Sequence, residues 1–329
     1  MTRFPFSILG CIALLATLAV SALANDEIIE RSKNHDMWAA PGQNMELHRY
    51  SQLGDISTEN VSGLQLAWAQ STGALRGHEG QPVVVEVDGK PMMYLVSAWP
   101  NIVQALDLSD PDNPVQVWNY EKKTERDESA VPRACCDVVH RGLNYVDGKV
   151  VVHTLDGFVI SLDARTGEEN WVVKHAYPEN GETHTGPALV AENLVIAGFG
   201  GDEFAARGRM TAYDLETGEV VWNCHSTGSD QDVCLTPDTN KANPHYGTYG
   251  QDLGLTTYPE GEHLIGGGAP WAWFSYDPEL RIVYAGTGNP GHWSPSYRCG
   301  ADTHEECNTG EWDNKWSMTI FAREVDTGN

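Results

Sequence analysis

Leu162-Asp163-Ala164-Arg165-Thr166-Gly167-Glu168-Glu169-Asn170-Trp171 is followed by Tyr213-Asp214-Leu215-Glu216-Thr217-Gly218-Glu219-Val220-Val221-Trp222. Both read D-x-x-T-G-x-x-x-W. A looser copy runs from Leu106-Asp107 to Trp118, and a fourth begins at Arg323-Glu324-Val325-Asp326-Thr327-Gly328. Asp and Thr-Gly favour a tight turn between two strands. A Trp that follows such a turn has a broad face to pack between neighbouring sheets and an N–H that needs a partner there. A hairpin unit that cannot bury its own face must stack on copies of itself, which describes a β-propeller blade. The alternative is a β-sandwich with accidental D-T-G turns; two full matches and two partial ones weigh against it.

Short β-runs surround these repeats. Pro82–Val85, Met92–Val96, Val103–Asp107, Lys149–His153 and Gly157–Asp163 are apolar or alternating and are separated by turn signals. Leu64-Gln65-Leu66-Ala67-Trp68 alternates in the same way and is expected to be a strand. Residues 25–60 read as a polar arm with one short helix near its start. The expected fold is all-β, with about four blades. The last repeat stops before its Trp, so the expectation is a truncated product of a longer gene.

The chain has 329 residues and a formal net charge of −25. That charge argues against nucleic acid as a partner and suits a basic protein partner or plain solubility. Residues 1–24 carry the pattern of a secretory signal: Arg3, an apolar run from Ile8 to Val20, and Ala22-Leu23-Ala24 before Asn25. No other stretch is long and apolar enough to span a membrane.

Cys11 leaves with such a signal. The other cysteines fall in close pairs: Cys135 with Cys136, Cys224 with Cys234, and Cys299 with Cys307. In an exported chain this fits three local disulfides, inferred from proximity alone. Adjacent cysteines in a bond close a small ring and make a flat apolar plate. Two buried free thiols, or half of a metal site, are the other readings.

Glycine-rich turns carry the remaining candidates. Gly200-Gly201-Asp202-Glu203 follows the strand Leu194–Ala197, and Gly286-Thr287-Gly288-Asn289-Pro290 follows Ile282–Ala285. Equivalent ends of successive blades converge on a propeller axis, so a carboxylate from Glu203 and an amide oxygen from Asn289 can meet there as ligands for a hard cation. Each alone is equally a solvated acid and a turn former. Gly266-Gly267-Gly268-Ala269-Pro270-Trp271-Ala272-Trp273 offers close backbone approach and an aromatic face. In a strand both Trp residues would share one buried face; in a loop Trp271 is free to face a ligand. Arg141 suits an acidic ligand near the cysteine pair. His140 reads as a surface or hydrogen-bonded structural histidine.

Cys-Cys-Asp-Val-Val-His-Arg-Gly at 135–142, Gly-His-Glu-Gly at 77–80, Gly-Asp-Glu-Phe at 201–204, Asn-Pro-His-Tyr-Gly at 243–247, Gly-Thr-Gly-Asn-Pro at 286–290 and Asp-Asn-Lys-Trp-Ser-Met-Thr-Ile at 313–320 together resemble the quinoprotein alcohol dehydrogenases. The branch they are most similar to is the large subunit of methanol dehydrogenase and its lanthanide-dependent relatives. The resemblance covers nearly all of residues 25–329.

It implies an eight-bladed propeller holding pyrroloquinoline quinone (PQQ) on its axis, of which 25–329 is the N-terminal part, about half. It implies a Cys135–Cys136 disulfide over one face of the quinone and Trp271 on the other. Glu79, Arg141 and Thr185 match positions that hold the cofactor's rim, and Gly200 and Gly201 let it approach the backbone. Glu203 and Asn289 match ligands of Ca²⁺ or a lanthanide. The implied reaction is periplasmic oxidation of a small primary alcohol, with electrons passed to a c-type cytochrome; a homodimer is compatible with it. The family's catalytic aspartate falls beyond Asn329, which makes the chain alone inactive by this reading. The segment Arg298–Glu311 looks inserted relative to methanol dehydrogenase, and His140 stands where many relatives have Asn. The other function class is a non-catalytic propeller serving as a binding or assembly scaffold. Such a scaffold has no need for the vicinal cysteines, Glu203 and Asn289.

Overall fold

The computed structural model describes residues 24–235, 251–291, 293–308 and 311–329. The signal-like segment up to residue 23 and the motif at 243–247 lie outside them.

The strands form four antiparallel sheets in chain order. The first holds β1 (Val83–Val87), β2 (Lys90–Val96), β3 (Val103–Asp107) and β4 (Val115–Tyr120); the second holds β5 (Asn144–Val146), β6 (Lys149–His153), β7 (Phe158–Asp163) and β8 (Glu169–Lys174). The third holds β9 (Leu189–Ala191), β10 (Leu194–Ala197), β11 (Arg209–Asp214) and β12 (Val220–His225), and the fourth holds β13 (Ser275–Asp277), β14 (Ile282–Gly286) and β15 (Ile320–Glu324). Each strand pairs with the next, so each sheet is a meander. The first strands of the first three sheets touch one another, β1 with β5 and β5 with β9, which places them innermost. A short helix, α1 (Ala24–Ser32), packs on β5 and β9. This is the propeller arrangement, with four blades among the described residues.

Period-2 alternation explains why the blades stack. On β6, Val150 and Val152 point toward the first blade and join Val83, Val85, Tyr94 and Ile160. Val151, between them, points the other way and joins Val159, Val190, Val195 and Tyr213 of the second and third blades. On β10, Val195 and Ala197 face the second blade, while Leu194 and Ile196 face Tyr276 and Val283 of the fourth. A blade with neighbours on both sides is therefore apolar on both faces, and β6 and β7 read as continuous apolar runs. In β1, part of the first blade, the burial alternates.

The repeated turn fastens each blade to the one before it. Asp163 Oδ1 accepts from the backbone N–H of Arg165 (2.8 Å) and Thr166 (2.9 Å), and Asp214 does the same for Glu216 and Thr217. The Trp of the preceding blade then docks on the turn. Trp118 Nε1 donates to Ala164 O (3.0 Å), Trp171 Nε1 to Leu215 O (2.9 Å), and Trp222 Nε1 to Val325 O (2.8 Å). Its ring lies flat on the turn glycine: a Cβ at Gly167, Gly218 or Gly328 would sit 2.7–2.8 Å from the indole of Trp118, Trp171 or Trp222.

One expected strand is absent. Leu64–Trp68 forms no strand and pairs with none among the described residues, and its Leu64 and Leu66 are 60% and 83% exposed. Alternation marks a chain that could lie on a sheet; a strand also needs a partner edge. Three strands escaped sequence reading, β5, β9 and β13, each three residues long.

The docking can be weighed against backbone strain. Gly218 and Gly89 share a positive φ, +71° and +76°, but Gly89 has nothing within 4 Å of a built Cβ. Gly89→Ala is expected to cost about 1–2 kcal/mol from conformation alone. Gly218→Ala, which also drives a methyl into Trp171, is expected to cost at least about 2 kcal/mol more. Urea denaturation of the two variants measures the difference.

Candidate cofactor and metal site

Successive strands reverse direction, so two kinds of connection share one end of every blade. These are the linker into the first strand and the loop between the second and third. The D-x-x-T-G turns, between third and fourth strands, lie at the other end. All candidate site residues lie on these two kinds of connection, at the end opposite those turns. Glu79 precedes β1. Cys135, Cys136 and Arg141 lie between β4 and β5, and Thr185 lies between β8 and β9. Gly200, Gly201 and Glu203 lie between β10 and β11, Trp271 between β12 and β13, and Asn289 between β14 and β15.

The structure brings these residues to one cavity of about 190 Å³, lined by Cys135, Cys136, Arg141, Thr185, Gly200, Gly201, Glu203, Trp271 and Asn289. Glu79 joins through an ion pair, its Oε2 3.0 Å from Arg141 Nε. Arg141 is held from the other side by Thr185, whose carbonyl accepts from the Arg141 backbone N–H at 3.0 Å. Its guanidinium lies 5.4 Å from the centre of the Trp271 ring. Cys135 and Cys136 are bonded to each other, as are the other two pairs.

Backbone contacts set the cavity walls. Gly200 and Thr183 exchange both N–H···O bonds, at 2.8 and 3.0 Å. Gly201 has φ +141° and would place a Cβ 2.1 Å from Gly181 O, so no larger residue fits. Trp271 lies in a loop, not a strand, and is 42% exposed; its neighbour Trp273 sits instead under the guanidinium of Arg49. The two aromatics therefore separate, as a loop allows.

Glu203 belongs to a short 3-10 turn, Asp202–Phe204, and is exposed. Asn289 Nδ2 donates to Pro290 O at 2.9 Å, which leaves the amide oxygen outside that bond. A carboxylate and an amide oxygen, from different blades but one cavity, match the donors a hard cation takes. They are too few to close a coordination shell. Among the described residues no cluster of three or more His, Cys, Asp or Glu could hold a metal. An ion here needs further oxygens beyond these two.

Four further residues line the cavity: Arg133, Val139, Thr183 and Asp202. Sequence reasoning gave none of them a role, although Asp202 sits beside Glu203. Asp202 is buried, its Oδ1 accepts from the Ala269 N–H at 2.6 Å, and burial pushes its carboxyl up to about 7.

The family described as "PQQ: Glucose/ethanol/alcohol dehydrogenase, beta-propeller domain" matches residues 38–328. The chain belongs to this PQQ dehydrogenase propeller family. It is 46% identical over 322 residues to the lanthanide-dependent methanol dehydrogenase of Methylacidiphilum fumariolicum strain SolV, covering 98% of this chain and 49% of that protein. It is 42% identical over 337 residues to methanol dehydrogenase [cytochrome c] subunit 1 of Methylorubrum extorquens, covering all of this chain and 50% of the relative. A solved europium-containing methanol dehydrogenase superposes with a TM-score of 0.83 at 47% identity, over 92% of this chain and 49% of that one. The chain thus spans about half the length of the curated relatives it matches.

Next in the chain to cavity-lining residues, this PQQ-family propeller carries a group of buried histidines. His140 adjoins Arg141, and His184 stands between Thr183 and Thr185. The His184 ring is 4.3 Å from that of His153 and 5.0 Å from that of His175, centre to centre. His140 is hydrogen-bonded: its Nε2 donates to His153 O at 3.0 Å, and its Nδ1 accepts from the Gly142 N–H at 3.2 Å. His175 Nδ1 lies 2.8 Å from the Tyr213 hydroxyl, whereas neither ring nitrogen of His184 has a hydrogen-bond partner.

Burial holds all four in the neutral form, with His140 lowered to about 4, His153 to about 3, and His175 and His184 well below the usual value. The folded-state values lie under the unfolded value of about 6.5, so the unfolded chain binds more protons at acid pH. The histidines' contribution is complete above pH ~6.5 and falls by up to about 1.4 kcal/mol per histidine for each pH unit below it. The urea midpoint is expected to drop steeply between pH 7 and 5. His184→Phe, which removes one titrating ring, is expected to flatten that slope by about one proton.

Proposed function

We propose that the protein containing this chain is a PQQ-dependent alcohol dehydrogenase of the periplasm, with 1–24 a cleaved signal and 25–329 the N-terminal part of its eight-bladed propeller. One observation carries the reading. A single cavity, fed by loops of the second, third and fourth blades, collects a flat cystine, an exposed Trp, an arginine and two hard oxygen donors. A scaffold has no use for that combination.

PQQ, when bound, supplies an acceptor for the alcohol's hydride, and its Ca²⁺ or lanthanide ion a Lewis acid. The chain's own residues bind, orient and shield. The Cys135–Cys136 plate and the Trp271 ring provide apolar faces for a planar guest. Arg141 would meet its rim carboxylates in charge-assisted hydrogen bonds, and its guanidinium is held by Glu79 and by Thr185 O, which accepts from Nη1 at 3.4 Å. Gly200 and Gly201 leave backbone rather than side chain at the wall. Glu203 and Asn289 supply oxygens to the ion. The base that takes the alcohol proton is assigned beyond Asn329, as the resemblance implies.

A small primary alcohol, of the kind the methanol dehydrogenase relatives are named for, is the proposed substrate. A c-type cytochrome is the proposed electron acceptor, and the net charge of −25 would steer a basic one toward it. A homodimer is compatible with the reading.

The full-length protein, supplied with PQQ and either Ca²⁺ or La³⁺, is expected to oxidise methanol or ethanol with reduction of a dye or a cytochrome c. Replacing both Cys135 and Cys136 by Ala is expected to weaken quinone binding at least ~10-fold, read by equilibrium dialysis. Quinone binding indifferent to that change, with no alcohol oxidation, would return the scaffold reading.

A further inference from the structure

Asp202 stands one residue before Glu203, yet the two side chains live in different surroundings. Glu203 is exposed; Asp202 is buried among the loops. Its Oδ1 accepts the backbone N–H of Ala269 at 2.6 Å, two residues before Trp271. Its Oδ2 presses on Gly288, where a built Cβ would lie 2.3 Å away. Gly288 precedes Asn289. The two outer loops are also tied to each other: Gly288 N–H donates to Ala269 O and Gly268 N–H donates to Asn289 O, both at 2.9 Å. One carboxylate therefore sits at the junction of the Glu203 turn, the Trp271 loop and the Asn289 loop.

We infer that Asp202 is a positioning residue that sets the spacing between the oxygens of Glu203 and Asn289 and the height of Trp271 above them. The inference rests on the metal site proposed above. Hard cations tolerate only a narrow range of ligand distances, and groups that orient the ligands typically change metal affinity 10–100-fold when lost. Asp202 has the means: it touches the backbone of both neighbouring loops and shares a turn with Glu203. What the junction needs is a compact acceptor for the Ala269 N–H. Asparagine keeps that acceptor; alanine does not.

The test is Tb³⁺ luminescence sensitised by tryptophan, in the full-length protein stripped of metal. Asp202→Ala is expected to weaken Tb³⁺ binding at least ~10-fold while Asp202→Asn stays within about 3-fold of the unmodified protein. Gly288→Ala, which crowds the carboxylate from the opposite side, is expected to weaken it as Asp202→Ala does. Thermal melts of the same samples separate the alternatives, because a merely structural role would lower the melting temperature and leave Tb³⁺ affinity unchanged. Asp202→Ala binding Tb³⁺ as tightly as the unmodified protein overturns the inference. Should Asp202→Ala fail to fold, unweakened binding by Gly288→Ala overturns it instead. If Glu203→Gln is equally without effect, the metal-site reading itself fails, and the inference with it.

Discussion

The contact on which the rest depends is the one between a tryptophan and a glycine of the next blade. The indole of Trp118, Trp171 or Trp222 lies on a turn glycine with no room for a methyl group, and its N–H closes on a carbonyl of the same turn. The hydrogen bond is worth about 1 kcal/mol net. Its greater effect is geometric. A ring, a glycine and a carbonyl fix the separation and the rotation of two sheets that otherwise touch through valines and isoleucines, which slide. Neighbouring blades are thereby set in one relation, repeated along the chain.

That relation divides the propeller into two ends with different work. At one end the chain makes short Asp-capped turns, rigid and alike, whose only task is to receive a tryptophan. At the other end the connections are longer and unlike one another, and they carry every candidate ligand. The cavity is precise because the turns at the far end are. It is also glycine-rich where loops from separate blades cross, since Gly201 and Gly288 each have a backbone or carboxylate oxygen where a Cβ would go. Side chains that face the cavity stand on backbone that has no freedom to retreat.

The blade count and the blade order were readable because the repeat is local chemistry: an Asp that caps its own turn, a glycine and a tryptophan within one hairpin. The candidate residues were readable through the resemblance, and the topology explains why loops so far apart in sequence share a cavity. The inner strands β5, β9 and β13 were not readable, since three residues cannot display a period. Leu64–Trp68 displays one without having a partner among the described residues. Asp202 and the buried rings of His153, His175 and His184 escaped for a third reason. The bond from Asp202 spans 67 residues, and His184 owes its burial to His153 and His175 of the second blade. Nothing beside these residues in the chain announces that they are inside.

The most direct measurement is diffraction from crystals of the full-length protein grown with PQQ and a lanthanide, with data collected at the lanthanide's absorption edge. The account predicts one anomalous peak within coordination distance of both Glu203 and Asn289, beside planar density between the Cys135–Cys136 disulfide and Trp271. A peak at another place, or planar density that avoids the disulfide, would contradict it.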